Sequence, residues 1–402
     1  MQYSRQQLLP SIGAEGQKRL SSSTVLVVGC GGIGSTVISY LGAAGVPMVV
    51  CDHDEVELNN LHRQILHDRT KLGVNKALSA QSRIKVLNPD VSVEAVVAKV
   101  KEENVRDLVK GVDVVVDATD NYITRYLIND ACMKEGKVLV SGSAVGMEGQ
   151  ISVFIPGKGP CYRCLYPRPS ALASCRSCSD AGVLGPVPGV IGCLQATETI
   201  KVLLTSGQNH SGSMEVLHGR QVIYDGMRGE FYTFRLQKKG NPSCMACGDE
   251  ACGQVAKEME EERTAEDAPI DNRDTRQISA KEYAGVVERA TDHVLLDVRE
   301  PTQFGIASLP ERPGMRLLNI SLLALRGGRV TSTASAESDA ALSRVVEAAQ
   351  GGTLPIYVLC RRGVDSEHAS AFLSERGIAL VFNITGGLLA WSKDVDASFP
   401  IY

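Results

Sequence analysis

The chain has 402 residues, which at about 100–200 residues per domain indicates two or three domains. Apolar residues make up 44% and charged residues 22% of the chain, close to globular averages, which excludes a disordered or fibrous protein. The net charge of −4 offers no basic field for nucleic acid, so we expect no direct nucleic-acid binding. Twelve cysteines are too few for a disulfide scaffold in so long a chain.

No segment has the pattern of a targeting or membrane element. Residues 1–10 include Arg5 but lack the apolar stretch of a signal peptide. The run Leu20–Cys51 carries no charge, but glycines and Pro47 interrupt it, which is typical of a buried strand–helix–strand unit. We therefore expect no membrane association and a cytoplasmic, reducing environment, in which cysteines act as ligands or catalysts.

The first part of the chain alternates strands with helical stretches. Strands are predicted at Thr24–Val28 and Met48–Cys51 with a helix at Gly34–Ala44 between them, and further strands at Val112–Val116 and Lys137–Val140. This alternation predicts an α/β fold with a mainly parallel, Rossmann-like sheet. Ligands bind at the carboxyl ends of parallel strands, so the residues that follow each strand are the candidates for chemistry.

An acidic stretch divides the chain. Residues 249–277 hold ten acidic and four basic side chains and few large apolar ones, which indicates a solvated linker, with a functional acidic tail as the alternative. We therefore predict one domain over residues 1–248 and a smaller α/β domain over residues 278–402. The elements predicted in the second domain are strands at Val294–Asp297, Ile356–Leu359 and Ala379–Phe382 and a helix around His368–Arg376.

A glycine-rich loop follows the first predicted strand. Gly29–Gly34 reads Gly-Cys-Gly-Gly-Ile-Gly, and its backbone N–H groups can approach a phosphate at a helix N-terminus. Asp52, at the end of the next strand, suits a ribose hydroxyl. By itself this pattern indicates a nucleotide, and an NAD-dependent dehydrogenase is one interpretation. Arg63, Lys76 and Asp120 argue instead for ATP, because a triphosphate needs cations and a carboxylate for Mg²⁺.

These motifs together resemble the ThiF/MoeB superfamily of ubiquitin-activating-like adenylyltransferases. The resemblance rests on the Gly29–Gly34 loop, Asp52–Gln64, Lys76 and Ala118–Asn121, and covers about residues 1–248. It implies a homodimer that uses ATP and Mg²⁺ to adenylate the C-terminal glycine of a ubiquitin-fold protein, with Arg5 reaching into the partner's site and Asp120 holding Mg²⁺. The implied ATP-binding residues are Arg5, Gly31, Gly32, Asp52, Asp54, Asn59, Asn60, Leu61, His62, Arg63, Gln64, Lys76, Asp120 and Asn121.

Two C-x-x-C pairs are candidates for a metal site. Cys161 with Cys164 and Cys244 with Cys247 can together supply four thiolates to one tetrahedral Zn²⁺. The long gap between the pairs leaves redox disulfides or unrelated buried thiols as alternatives. The resemblance to MoeB implies that the four cysteines hold a structural zinc ion.

Two further cysteines precede a glycine- and proline-rich run at Gly182–Gly192, which we predict to be a loop over the active site. The family resemblance implies that Cys178 attacks the acyl-adenylate or receives a disulfide, whereas an inert loop thiol is the alternative. Cys175 has no such counterpart, and Cys252 stays unassigned. The cysteines predicted to be small core residues are Cys30, Cys51, Cys132 and Cys193.

Cys360 has the setting of a reactive thiol. It ends a predicted strand and opens a loop before a helix, where backbone N–H groups and the helix N-terminus favour an anionic sulfur. A cysteine phosphatase would need an arginine six residues later, where this chain has Ser366, which argues against a phosphatase. The persulfide-binding loop is predicted to comprise Cys360, Arg361, Arg362, Gly363, Val364, Asp365 and Ser366.

The second domain resembles the rhodanese family through Leu296–Glu300, the Cys360 loop and Gly386–Trp391. The run Gln303–Ser308 departs from the family pattern, and a rhodanese module used only for docking is the alternative. The two-domain arrangement resembles eukaryotic adenylyltransferase–sulfurtransferases. It implies that a cysteine desulfurase or another donor loads Cys360 as a persulfide, whose sulfur converts the adenylated C-terminal Gly-Gly of a sulfur carrier into a thiocarboxylate.

That resemblance also implies a use for the sulfur, either in tRNA wobble-uridine thiolation, in molybdenum cofactor synthesis, or in both. The alternative function is an activator that passes a ubiquitin-like protein as a thioester to conjugating enzymes, with the rhodanese only docking partners. A large cysteine-bearing domain and a ubiquitin-fold tail would favour that alternative, and the sequence offers no sign of either.

Overall fold

The computed structural model describes residues 2–167, 182–205, 214–237, 240–242, 244–248, 276–326 and 334–400. The chain divides into two compact units, Met1–Lys257 and Glu258–Tyr402. Each unit is built on its own sheet with its own core.

The first unit contains an eight-stranded sheet with the order β3-β2-β1-β4-β5-β6-β7-β8. The first five strands are parallel, and β6, β7 and β8 continue the sheet in antiparallel pairs. The strands are β1 (Val25–Val28), β2 (Met48–Cys51), β3 (Val93–Val96), β4 (Val114–Asp117), β5 (Val138–Val145), β6 (Glu148–Phe154), β7 (Arg220–Asp225) and β8 (Glu230–Arg235).

Helices cover the parallel part of this sheet. The strands β1 and β4 are buried at every position, as expected for central parallel strands covered on both faces. The helices are α1 (Ser4–Gln7), α2 (Gly13–Ser22), α3 (Gly32–Ala43), α4 (Lys76–Leu87), α5 (Glu102–Lys110), α6 (Tyr122–Glu135), α7 (Tyr162–Leu165) and α8 (Pro186–Thr205).

The helix α8 packs closely on α3. A Cβ on Gly192 would lie 2.5 Å from the Ile33 carbonyl oxygen, so glycine is required for this approach. In the described part of the chain, α8 is the one helix long and apolar enough to cross a membrane, and 61% of its apolar window is buried inside the unit. Its apolar side chains, among them Ile191 and Leu204, belong to the core beside β5.

The second unit is a five-stranded, all-parallel sheet with the order β11-β10-β12-β13-β9. Its strands are β9 (Arg276–Ser279), β10 (His293–Asp297), β11 (Met315–Asn319), β12 (Ile356–Leu359) and β13 (Val381–Thr385). Its helices are α9 (Ala280–Glu288), α10 (Pro301–Ile306), α11 (Leu322–Leu325), α12 (Ala334–Ala348), α13 (Val364–Glu375) and α14 (Gly387–Asp394).

The predicted α/β class with mainly parallel sheets is confirmed. The strands β2 and β12 match the predicted ranges, whereas β4, β5 and β13 begin one or two residues later than predicted. Arg276 and Gln277, which the sequence analysis assigned to the linker, form the first half of β9 and pair with Phe382 and Asn383.

Candidate functional site

The glycine-rich loop joins β1 to α3 in a conformation that requires glycine. Gly29 has a φ of +94°, and a Cβ there would lie 2.7 Å from the Ala118 carbonyl oxygen. A Cβ on Gly34 would lie 1.9 Å from the Gly29 carbonyl oxygen. Because α3 begins at Gly32, the N–H groups of its first turn have no partner within the helix. They lie at the carboxyl edge of the sheet, and N–H groups at such a helix N-terminus can bind an anion.

Asp52 binds this loop from the end of β2. One carboxylate oxygen accepts a hydrogen bond from Cys30 N–H at 2.7 Å, and the other accepts one from Asp54 N–H at 2.9 Å. The exposed Asp54 carboxylate lies 3.0 Å from Lys76 Nζ, whose side chain is 7% exposed. Lys76 begins α4, which Asn75 caps. The predicted ribose and phosphate residues are therefore together, although Asp52 is engaged with the loop backbone.

The turn that carries Arg63 lies next to the loop. The Arg63 guanidinium donates to Asn60 Oδ1 at 2.6 Å and lies 3.3 Å from His62 Nε2. Gln64 is buried, and its amide nitrogen lies 3.7 Å from the position of a Cβ on Gly31. The turn places Arg63 beside the start of α3, with its Cγ 3.4 Å from the position of a Cβ on Gly32. Its other predicted residues are Asn59 and Leu61.

The prediction of a loop over Gly182–Gly192 is wrong from Pro186 onward, because α8 begins there and its glycines allow close packing on α3. Residues 182–188 pack against both the Arg63 turn and the glycine-rich loop. A Cβ on Gly185 would lie 2.4 Å from the His62 carbonyl oxygen, and the Pro188 ring lies 3.1 Å from the position of a Cβ on Gly32. The Gly182 carbonyl accepts a hydrogen bond from Gly146 N–H at 2.9 Å. The predicted loop thiols, Cys175 and Cys178, lie outside the described residues, as does Cys252.

A buried carboxylate fixes the end of β4. Asp117 is 1% exposed and accepts hydrogen bonds from Thr119 N–H at 3.0 Å and from Ser141 Oγ at 2.9 Å. Arg125 donates to the carbonyls of Thr119 and Gly142. This network holds the turn before the exposed Asp120, the predicted Mg²⁺ ligand. Asn121 follows and accepts hydrogen bonds from the first N–H groups of α6, so its side chain is a helix cap.

Arg5 lies away from the other predicted ATP residues. Its helix α1 is held by Tyr3, whose hydroxyl accepts a hydrogen bond from Asn88 at 2.8 Å and whose ring packs on Gly45. Gly45 follows the C-terminus of α3, a helix of 12 residues and therefore about 18 Å long. Exposed Arg5 is thus near the opposite end of α3 from Gly32, and one chain does not bring the two together.

The four predicted metal ligands form one cluster. The sulfur of Cys161 lies 3.9 Å from that of Cys164 and 3.6 Å from that of Cys244, and the sulfurs of Cys164 and Cys247 are 3.4 Å apart. Four thiolates about 2.3 Å from a tetrahedral Zn²⁺ lie about 3.8 Å from one another. The donor set and its spacing therefore fit zinc.

The cysteine cluster is attached to α6 by buried polar contacts. Arg163 forms a bidentate ion pair with Asp130 at 2.8–2.9 Å, and both side chains are nearly inaccessible. Its guanidinium also stacks over the Tyr126 ring, 4.5 Å from the centroid. Asn129 accepts a hydrogen bond from Tyr162 N–H at 2.9 Å. Because α6 begins at Tyr122, two residues after Asp120, the cluster and the carboxyl edge of the sheet share one helix.

In the second unit, Cys360 ends β12 and is 2% exposed. Its sulfur accepts a hydrogen bond from Gly363 N–H at 3.0 Å and one from Ser366 Oγ at 3.3 Å. Burial raises the pKa of the Cys360 thiol, and the Ser366 hydrogen bond opposes that shift. The predicted loop thus surrounds the sulfur, with Val364 beginning α13. The other loop side chains are the half-buried Arg361 and the exposed Arg362 and Asp365.

Two glycines and a buried ion pair complete the surroundings of Cys360. Gly386 and Gly387 have positive φ, and a Cβ on Gly387 would lie 2.3 Å from the Cys360 carbonyl oxygen. Asp297 and Arg299 form a bidentate pair in which both side chains are 1% exposed. Arg299 also donates to the Ala307 carbonyl at 2.9 Å. The run Gln303–Ser308, although it departs from the rhodanese pattern, still packs on this arginine.

Three buried polar residues near the glycine loop were not predicted. His67 and Gln195 have no local sequence signal, because distant segments of the chain determine what they contact. Gln195, on α8, donates to the carbonyls of Asp117 and Val140. Asp117 could have been predicted, because it follows the predicted strand Val112–Val116 just as Asp52 follows Met48–Cys51.

Comparison with known proteins agrees with this two-unit architecture. The model of the ThiF family matches residues 3–246, and that of the rhodanese-like domain matches residues 279–394. The E. coli enzyme MccB in complex with ATP has a similar fold, with a TM-score of 0.52 and 22% sequence identity over 62% of this chain and 74% of that chain. At that identity the likeness concerns the fold alone.

Relatives named adenylyltransferase and sulfurtransferase MOCS3 match the whole chain. The Anopheles gambiae protein is 40% identical over 100% of this chain and 88% of its own length. The Mus musculus protein is 39% identical over 100% of this chain and 87% of its own. The Arabidopsis thaliana protein is 39% identical, with 100% and 85% covered. The chain therefore belongs to the family of two-domain adenylyltransferase–sulfurtransferases and is an enzyme of both activities.

Proposed function

We propose that the first domain adenylates the C-terminal glycine of a ubiquitin-fold sulfur carrier and that Cys360 supplies the sulfur for a C-terminal thiocarboxylate. The observation that carries this proposal is the pairing, in one chain, of a phosphate-binding loop beside Arg63 and Lys76 with a buried cysteine whose sulfur accepts hydrogen bonds. A carbonyl activated as an adenylate is the electrophile that a persulfide sulfur can attack.

The first step transfers AMP to the carrier. A carboxylate oxygen of the C-terminal glycine bonds to the α-phosphorus of ATP, and pyrophosphate leaves. The residues proposed for ATP lie around the loop at the carboxyl edge, where the first turn of α3, Arg63 and Lys76 neutralise phosphate charge. Exposed Asp120 holds Mg²⁺, which supplies further charge neutralisation when bound.

The second step moves sulfur. A cysteine desulfurase or another donor leaves a terminal sulfur on Cys360, and that sulfur attacks the acyl carbon while AMP departs. The acyl disulfide is cleaved by a second thiol, for which we propose Cys178. This cleavage releases the thiocarboxylate and leaves a disulfide between the two cysteines, which a cellular thiol must reduce. Gly182, four residues after Cys178 in the chain, begins the segment that packs on the adenylation site.

One Zn²⁺ is bound in a closed structural site by the thiolates of Cys161, Cys164, Cys244 and Cys247. Four protein ligands leave no open position for catalysis.

The enzyme acts as a homodimer in which Arg5 completes the partner's ATP site. It works in the cytoplasm without a direct nucleic-acid contact and supplies sulfur for tRNA wobble-uridine thiolation, molybdenum cofactor synthesis, or both. The first domain spans residues 1–248, the linker spans residues 249–275, and the second domain begins with β9 at Arg276.

A mass measurement tests the whole sequence of steps. The full chain is incubated with ATP, Mg²⁺, thiosulfate or a desulfurase, and a carrier ending in Gly-Gly, and the carrier is weighed. We expect a gain of about 16 Da, the difference between one oxygen and one sulfur, and no gain with Cys360→Ala. Cys193→Ala, a half-buried thiol outside both sites, is the control and should retain the product. A product of unchanged yield in Cys360→Ala would exclude the proposed role of Cys360.

A further inference from the structure

His67 lies between the glycine loop and α4, with 5% of its surface exposed. Its Nε2 lies 2.9 Å from the Cys30 carbonyl oxygen, and its Nδ1 lies 2.9 Å from Ser79 Oγ. A carbonyl oxygen can only accept, so Nε2 carries the proton. In the neutral ring, Nδ1 then accepts from the Ser79 hydroxyl. Burial lowers the pKa of His67, which favours this neutral form.

The Cys30 residue is therefore held on both sides. Asp52 accepts from its N–H at 2.7 Å, and His67 donates to its carbonyl. The Cys30 side chain is completely buried, whereas Gly29 and Gly31 on either side have no Cβ to restrict their backbone. The flanking backbone is fixed by Gly29 N–H on the Cys51 carbonyl and by Ser35 N–H on the Gly31 carbonyl, and His67 fixes the Cys30 carbonyl between them.

The orientation of the Cys30–Gly31 peptide determines which backbone group faces a bound phosphate. The Cys30 carbonyl and the Gly31 N–H belong to one planar trans peptide, so they point in opposite directions. When His67 holds the carbonyl, the Gly31 N–H points away from His67. A rotated peptide would replace that N–H donor by a carbonyl oxygen, which repels a phosphate.

We propose that His67 is a positioning residue of the adenylation site, which fixes the Cys30–Gly31 peptide so that the Gly31 N–H serves as a donor to the nucleotide phosphates. The proposal rests on the proposed binding of ATP at this loop. His67 itself does not touch the nucleotide. Ser79 lies one turn after Lys76 on α4, so the same helix that presents the lysine also orients the histidine ring.

Equilibrium binding of ATP with Mg²⁺ to the full chain tests this role without a carrier protein. His67→Phe keeps a ring but loses the donor, and we expect the Kd for ATP to rise about tenfold. His67→Gln keeps an N–H near the Nε2 position and should recover most of that loss. Because His67 lies in the first unit, thermal unfolding of that unit, followed by circular dichroism, reports whether each variant is otherwise intact.

The outcomes distinguish the two proposals. If the wild-type chain fails to bind ATP, the proposed function of the loop is wrong, whatever His67 does. If the wild type binds and His67→Phe binds equally well, the positioning role is wrong. Equal losses in His67→Phe and His67→Gln would also overturn it, because ring shape rather than the N–H donor would then matter.

Discussion

At the level of single residues, Ser366 occupies the position where a cysteine phosphatase would carry its arginine, and the structure gives it another task. Its hydroxyl donates to the Cys360 sulfur, beside the Gly363 N–H and the backbone N–H groups of Arg362 and Ser366. Hydrogen bonds to the charged form of an acid lower its pKa. Ser366 therefore counteracts the effect of burial, which raises the pKa of Cys360.

Ser366→Ala should slow the loading of sulfur onto Cys360 at pH 7, by about three- to tenfold for the loss of one hydrogen bond to an anion. The pKa of Cys360 then rises further, so the thiolate fraction falls and the rate profile moves to higher pH. Rates of thiosulfate–cyanide sulfurtransfer from pH 6 to 10 measure this shift. Ser370→Ala removes a buried hydroxyl one turn later on α13 that bonds the Ser366 carbonyl. An equal alkaline shift in Ser370→Ala would contradict the direct role of Ser366.

At the level of elements, the proposed adenylation site includes the Arg63 turn, on which the segment before α8 packs closely. Gly185 has no room for a Cβ, because the His62 carbonyl would lie 2.4 Å away, whereas a Cβ on Gly189 would meet Thr36 Oγ1 at 3.9 Å. Gly185→Ala should therefore displace the turn and reduce kcat/KM for ATP by at least tenfold, since small displacements of positioning groups are costly. Gly189→Ala is the matched control with near wild-type kinetics. Wild-type kcat/KM in Gly185→Ala would show that the turn tolerates the displacement.

The four-cysteine cluster makes a second prediction at this level, which concerns the zinc content of the protein. The sulfur spacing predicts one zinc ion per chain, detectable by elemental analysis of the purified protein. Cys247→Ser should lose the metal and lower the melting temperature of the first domain, because a structural zinc site contributes directly to folding free energy. Cys193→Ser, outside the cluster, should keep it. Full zinc occupancy in Cys247→Ser would exclude the four-cysteine site.

The sequence predicted strand positions most accurately where the apolar residues of a single strand form the pattern by themselves. The runs of β2 and β12 are short, apolar and buried, and their predicted ranges agree with the structure. The antiparallel strands β7 and β8 were not predicted, since their residues are half-buried or exposed. They become strands by pairing with a neighbour, β7 with β6 and β8 with β7. The same limit applies to His67, whose contacts with Cys30 and Ser79 form only when three separate segments meet.

At the level of the whole molecule, the position of Arg5 suggests that a single chain has an incomplete site. The helix α1 is attached near the end of α3 that lies away from the glycine loop, and its neighbours Leu8 and Leu9 are 72% and 52% exposed. Leu8 and Leu9 are adjacent and expose apolar surface beside Arg5, and contiguous exposed apolar surface is a feature of sites where another subunit binds. This arrangement supports the proposed homodimer, in which each Arg5 serves the other subunit's nucleotide.

A purified heterodimer tests that arrangement. Arg5→Ala and Asp120→Ala chains, both changed at exposed side chains, are co-expressed with different tags and isolated as a mixed pair. If Arg5 acts in the partner's site, one site in the pair receives both an intact Asp120 and an intact Arg5, while the other has neither. Adenylation should then recover to about half of the wild-type rate, although each variant alone is nearly inactive. If Arg5 acts within its own chain, both sites stay defective and the mixed pair is as inactive as its parents.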